Sequence, residues 1–158
     1  MSKIIKAKED GIGKKIKENG GPFHINYPQH ISGKRDDLDG QYFRSSWESN
    51  FARYLNWLQE NKEIDRWEYE SERFEFKGIK RGSQSYLIDF KVYENNGTVK
   101  YYEIKGWMDQ KSKTKLKRMA KYYPDIKIII IEKKQYMEIG RKVSGMIKGW
   151  EFQKNRTW

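Results

Sequence analysis

Two apolar segments carry acidic residues where a folded chain tolerates them least. The first is Tyr86-Leu87-Ile88-Asp89-Phe90 and the second is Tyr101-Tyr102-Glu103-Ile104-Lys105-Gly106, with Asn95-Asn96-Gly97 between them. Both segments have the aromatic and β-branched character of strands, and Asn-Gly is a hairpin signal. Side chains two apart on a strand share a face, so Glu103 and Lys105 emerge together. Buried charges of this kind are costly unless paired or bound to a cation.

The hairpin register decides whether the acids meet. With a two-residue loop, Asn96-Gly97, Asn95 faces Thr98, and Asp89 and Glu103 point to opposite sides. With a three-residue loop, Gly97 takes the left-handed conformation, Glu94 faces Thr98, and Asp89 lies opposite Glu103. Only the second register builds a common site, and it is the one expected.

The 158 residues suit one domain with a substantial core. Charged residues make up 35%, with Lys+Arg at 33 against Asp+Glu at 22, a net charge of +11. That excess favours a polyanionic partner, nucleic acid above all, although a lysine-rich solvated surface also accounts for it. Six Trp, eleven Tyr and seven Phe argue against disorder. The absence of cysteine excludes disulfides and thiolate zinc sites, and two histidines, His24 and His30, cannot build a histidine-rich one. No apolar run approaches the ~20 residues of a membrane span, and the N-terminus lacks a signal-peptide core. A soluble cytoplasmic protein with no membrane partner is expected.

Residues 1–40 are basic and rich in Gly and Pro, which predicts an irregular arm with one short helix near Lys14–Glu18. Gly11-Ile12-Gly13-Lys14-Lys15 lacks the spacing and the preceding strand of a phosphate loop. The domain is expected over residues 41–158. Trp47, Phe51, Leu55 and Leu58 recur at helical spacing, predicting a helix over Ser45–Gln59 that ends at Asn61. Strands are predicted over Trp67–Phe76, Tyr86–Tyr93, Thr98–Lys105 and Ile126–Ile131, the last as a run buried on both faces. Helices are predicted over Asp109–Tyr123 and Lys134–Lys148. The strand-helix-strand order after Tyr101 is a parallel crossover. The expected class is α/β, a mixed central β-sheet flanked by helices.

Two carboxylates a few ångströms apart repel, and a divalent cation removes the conflict. All-oxygen ligation suits Mg²⁺ or Mn²⁺, which acidify a bound water and neutralise phosphate charge. Lys105 can donate to that water or to a phosphate oxygen. Phosphodiester hydrolysis is the chemistry these groups suit. Glu48 lies about 20° from Leu55 around its helix, at the edge of the apolar stripe. It has two readings: a fourth site carboxylate, or the capping-box partner of Ser45.

Glu48, Asp89, Glu103 and Lys105, in this order and topology, resemble the PD-(D/E)XK nuclease superfamily over roughly residues 43–131. Ile88-Asp89-Phe90 followed by Tyr102-Glu103-Ile104-Lys105-Gly106-Trp107 is similar to phage Holliday-junction resolvases of the endonuclease I type; Ile88 stands where the superfamily name has proline. The resemblance implies a restriction-endonuclease-like core and an Mg²⁺- or Mn²⁺-dependent DNA endonuclease, acting in recombination on branched DNA. It implies metal ligation by Asp89, Glu103, Glu48 and the backbone carbonyl of Ile104. It also implies a homodimer and, for a phage protein, the host cytoplasm. A duplex-cutting or nicking endonuclease of restriction or homing type is the nearest alternative, and a non-catalytic nucleic-acid-binding module on a nuclease scaffold is another.

Lys80 and Arg81 flank the expected cleft. Lys111, Lys113, Lys115, Lys117 and Arg118 crowd the crossover helix, either to track a phosphate backbone or as a solvated face. Trp107 has two readings, packing beneath the site or contact with nucleic acid, and packing is the one expected.

Overall fold

The computed structural model describes residues 31–152. It begins with a hairpin, β1 (Gly33–Arg35) and β2 (Gln41–Phe43), closed by a 3₁₀ turn over Asp36–Leu38. Ordered structure thus reaches into the stretch expected to be an arm, where β1 pairs with β2 and Leu38 joins the core. The helix expected near Lys14–Glu18 lies outside the described residues, as do His24 and His30.

Helix α1 (Ser46–Glu60) follows the predicted periodicity and ends at Asn61. The Ser45 hydroxyl accepts from the Glu48 amide at 3.2 Å and donates to Glu48 Oε1 at 3.0 Å, so the cap read from the sequence forms. The remaining elements are β3 (Arg66–Tyr69), β4 (Arg73–Glu75), β5 (Ser85–Leu87), β6 (Phe90–Tyr93), β7 (Val99–Ile104), α2 (Gln110–Tyr122), β8 (Ile128–Ile131) and α3 (Lys133–Val143). Asp109 caps α2 by accepting from the Ser112 amide at 2.7 Å. No described helix is long and apolar enough to cross a membrane.

The central sheet has the order β3-β6-β7-β8. The first three strands are antiparallel, and β8 runs parallel to β7. The class is therefore mixed α/β with a mixed central sheet, as expected. Alternation along β7 divides the molecule into layers. Tyr102 and Ile104 join the cluster of Phe51, Phe90 and Tyr136, which draws on α1 and α3. Tyr101 joins the cluster of Phe74, Tyr86, Ile88 and Met119, which draws on α2. Helices thus cover both faces, and each cluster buries one.

Two predicted strands are each broken in two. Trp67–Phe76 becomes β3 and β4, and Tyr86–Tyr93 becomes β5 and β6, with β4 and β5 forming a separate small sheet. β8 differs as well: Ile129 is 38% exposed, because β8 is an edge strand and α1 and α3 do not cover its whole length.

The β6–β7 hairpin has the three-residue loop. Tyr93 pairs with Val99 and Phe90 with Tyr102. The Glu94 amide donates to the Thr98 carbonyl at 2.8 Å and Gly97 has φ +82°. A methyl group at Gly97 would meet nothing within 4 Å, so a substitution there costs conformational strain alone. Gly97→Ala is expected to lower stability by about 1–2 kcal/mol in urea unfolding. An unchanged midpoint would show that the loop has another turn open to it at no cost.

Candidate active site

The break between β5 and β6 is the local event that builds the site. Tyr69 pairs with Phe90, but Arg73 pairs with Leu87. Four residue steps on one strand therefore match three on the other. The Glu70 amide donates to the Asp89 carbonyl at 2.8 Å and the Ile88 amide to the Glu72 carbonyl at 3.2 Å, leaving Ser71 as the extra residue of a β-bulge. Glu70 takes the left-handed conformation, φ +48°, to make the turn. A bulge bends and over-twists its strand. Tyr86 and Ile88 consequently pack in the α2 cluster, whereas Phe90 and Val92 pack in the α1 cluster, although all four are spaced by two. Asp89 sits at this roll-over.

Continuing the hairpin register from Phe90–Tyr102 puts Asp89 opposite Glu103. Their side chains line one cavity of about 430 Å³ together with Glu48, Ile104 and Lys105. Asp89 is 3% exposed and Glu103 4%. Asp89 Oδ2 accepts from the Ile104 amide at 2.8 Å, and Oδ1 accepts from Arg44 Nη2 at 3.0 Å. Glu103 Oε1 lies 2.9 Å from Lys105 Nζ, while Glu103 Oε2 is buried with no hydrogen bond of regular geometry.

The electrostatics follow from this crowding. Burial first, then the charges of Glu103 and Glu48, push the Asp89 carboxyl well above its ordinary range, against the pull of the Ile104 amide and Arg44. Burial works to lower the Lys105 ammonium, but Glu103 and Asp89 more than offset it, so Lys105 is held above its usual value. Burial, then the Glu103 charge, raises the Tyr86 phenol, keeping it protonated beside the carboxylates.

Glu48 fulfils its capping role and faces the site as well. Its Oε2 accepts from the Tyr69 hydroxyl at 2.5 Å and from the Arg44 amide at 3.2 Å, so both oxygens are engaged. Arg44 is the residue sequence reasoning missed. Its Nη2 lies 2.5 Å from Glu70 Oε1 and 3.0 Å from Asp89 Oδ1, and its Nε lies 3.9 Å from Glu48 Oε2. A guanidinium supplies the positive charge between these carboxylates. Among the described residues, no three His, Asp or Glu side chains close into a ready metal cage. Arg44 left one signal in the sequence, its position four residues before Glu48. Glu70 and Tyr69 left none beyond their strand pattern.

The basic residues divide by helix face. Lys111 and Lys115 line a second cavity, of about 650 Å³, and Lys115 also lines the carboxylate cavity. Burial, helped by the nearby Lys105 and Lys111 charges, lowers the Lys115 ammonium despite Glu103. Lys113 and Lys117 are exposed on another side of α2. Arg118 donates to the carbonyls of Ser83 and Arg81, so it clamps the loop before β5 instead of standing free for phosphate. Lys80 and Arg81 are exposed in that loop. Trp107 corrects an expectation: it is 82% exposed and lines the carboxylate cavity. It is not packed beneath the site, because the chain leaves the sheet after Ile104 and turns outward.

The raised Asp89 carboxyl has a stability consequence. The unfolded chain ionises Asp89 near 3.8, whereas the native state keeps the proton to higher pH. The native state therefore binds more protons above that value, and this group's contribution falls as pH rises through the window. Asp89→Asn is expected to raise the melting temperature at neutral pH, by roughly 2–4 °C for each kcal/mol of relief. The gain should shrink as pH falls toward 3.8. Thermal unfolding from pH 4 to 8 checks this; a gain independent of pH would contradict the assigned cause.

Comparison with known proteins places the chain without assigning it an activity. No curated protein and no solved structure matches it. A family model described as "Protein of unknown function (DUF1064)" matches residues 30–138, a span holding Glu48, Asp89, Glu103, Lys105 and Trp107, and the chain belongs to that family.

Proposed function

We propose that this chain is an Mg²⁺- or Mn²⁺-dependent nuclease with a restriction-endonuclease-like core of the PD-(D/E)XK type. It hydrolyses phosphodiester bonds in DNA, with branched DNA as the substrate the resolvase resemblance favours. One observation carries the reading. Asp89 and Glu103 flank the last paired residues of the hairpin and line one cavity, Lys105 lies against Glu103, and the second Glu103 oxygen is buried with no hydrogen bond of regular geometry.

That oxygen is the test of fit. A buried carboxylate oxygen without a well-aligned donor is costly, and a hard cation satisfies it. Asp89 and Glu103 would hold the ion, with the Ile104 carbonyl as the third ligand implied by the resemblance. Glu48 has Oε1 to offer, which accepts from Ser45 alone, whereas its Oε2 is taken by Tyr69 and Arg44. The cation, when bound, acidifies a water and neutralises charge on the phosphate.

The chain's own side chains do the rest. Lys105 stays protonated at neutral pH, so it orients the attacking water or a phosphate oxygen as a donor and does not take the proton. Arg44, once freed from Asp89, keeps its pairing with Glu70 and still has guanidinium donors to spare for a phosphate beside the cavity. Tyr86, buried and protonated, lines the same cavity and presents its phenol to the Glu103 carboxylate.

A second reading, a nucleic-acid-binding module without catalysis, draws support from Arg44, which already neutralises the carboxylates as a metal would. Cleavage separates the two. Labelled four-way junction, nicked, single-stranded and linear DNA are incubated with Mg²⁺ or Mn²⁺. Junction cutting is expected, falling at least about 100-fold in Asp89→Asn, Glu103→Gln and Lys105→Ala, with binding in Ca²⁺ retained. Binding without cutting in either metal favours the module. Normal cutting by the carboxylate variants removes the site assignment, and preference for linear duplex removes the branched substrate.

A further inference from the structure

Trp107 is the most exposed large hydrophobic residue among those described, at 82%. Large side chains scattered singly on a surface need no explanation, but this one is not scattered. It borders the same cavity as Asp89, Glu103 and Lys105. Its backbone is also held in place. A Cβ at Gly106 would lie 3.7 Å from the Trp47 ring, so the loop rides directly on that indole. Trp47 in turn stacks on Tyr136, with centroids 4.2 Å apart and planes 8° apart. The loop is supported from below while its indole is left in water.

Lys115 lines both the carboxylate cavity and the second one. That cavity is lined by Arg73 and Lys111 and by the hydroxyl-bearing Ser85 and Thr114. Cations and hydroxyls together are phosphate-contacting groups. An aromatic face and the acids therefore share one cavity, and Lys115 joins it to a basic pocket. This set of groups matches a nucleic-acid strand with one base turned out of its stack, which presents a π-face together with its phosphates.

We propose that Trp107 is a stacking platform for an unpaired nucleobase, and that the strand continues past the carboxylates into the Arg73–Lys111–Lys115 pocket. The substrate is then a nucleic acid with at least one unpaired nucleotide at the site, as at a branch point, a flap or a single-stranded stretch. A fully stacked duplex keeps its π-faces inaccessible to Trp107. The inference rests on the nuclease reading only for what happens to the phosphate; stacking requires no cleavage.

The test measures binding of the full chain in Ca²⁺ by fluorescence anisotropy. The probes are labelled oligodeoxythymidylate, oligouridylate, a blunt duplex of the same length, and a strand of the same length made of abasic nucleotides. Trp107→Ala is expected to weaken oligodeoxythymidylate about tenfold or more, the scale of one base–aromatic stack. Trp107→Phe should keep most of the affinity, and Trp107→Ala should leave the abasic strand unchanged. The indole lies outside the core, so the fold survives either change, and circular dichroism verifies it. A comparable loss on oligouridylate shows that DNA and RNA both supply the base; loss on one alone names the source, and either supports the platform. Unchanged oligodeoxythymidylate and oligouridylate binding in Trp107→Ala, or an equal loss on the abasic strand, overturns it, as does tighter binding to blunt duplex than to single strands. Base-dependent binding without metal-dependent cleavage keeps the platform and removes the nuclease; cleavage with base-independent binding does the reverse.

Discussion

Asp89 and Glu103 are withdrawn from water side by side, and the surrounding structure is organised against that cost. Two buried carboxylates repel, and each loses hydration that a protein interior replaces only in part. Arg44 and the Ile104 amide answer for Asp89, and Lys105 answers for one oxygen of Glu103. The Tyr86 phenol also faces the Glu103 carboxylate, whose other oxygen makes no hydrogen bond of regular geometry. A fold that needed only stability would place apolar residues there, since a well-packed hydrophobic substitute is often as stable. The arrangement makes physical sense as a site that gains a cation.

The fold serves this placement through two layers of support. At one end, Glu151 is bonded to Arg35, Ser49 and Arg53, and Arg53 also holds Asp37. This network fixes the β1–β2 hairpin and the C-terminal segment to α1, whose first turn carries Glu48. At the other, the stack of Trp150, Tyr136 and Trp47 runs from the C-terminal segment to Gly106. The loop bearing Lys105 and Trp107 is thereby tied to the core through rings, in addition to the Lys105 amide, which donates to the Ile131 carbonyl at 3.0 Å. Rigid supports of this kind keep a catalytic or binding constellation in register.

The sequence made some of this legible and hid the rest for identifiable reasons. Turn chemistry is local, so Asn95-Asn96-Gly97 marked the hairpin and narrowed it to two loop lengths, and the need to bring Asp89 and Glu103 to one face selected the three-residue one. Helix α1 was legible because period and cap agreed. The bulge at Ser71 was not, because one extra residue leaves no compositional mark; it is detectable only when two strands are set against each other. For the same reason Tyr86–Tyr93 read as one strand instead of two. Arg44 was missed because its partners, Glu70 and Asp89, are distant in sequence. Trp107 was misplaced because indoles are usually buried, and no pattern in a short turn says which way one faces. Arg118 read as one of a crowd of cations, whereas its inward face is set by the loop it clamps.

The central claim is that Asp89 and Glu103 hold a divalent cation, displacing the charge that Arg44 supplies. Titrating Mn²⁺ into the full chain without nucleic acid, and following free Mn²⁺ by electron paramagnetic resonance, tests it most directly. The account predicts saturable loss of the free-ion signal in the wild type and its abolition in the Asp89→Asn/Glu103→Gln double variant. No Mn²⁺ bound by the wild type, or equal binding by the double variant, would contradict it.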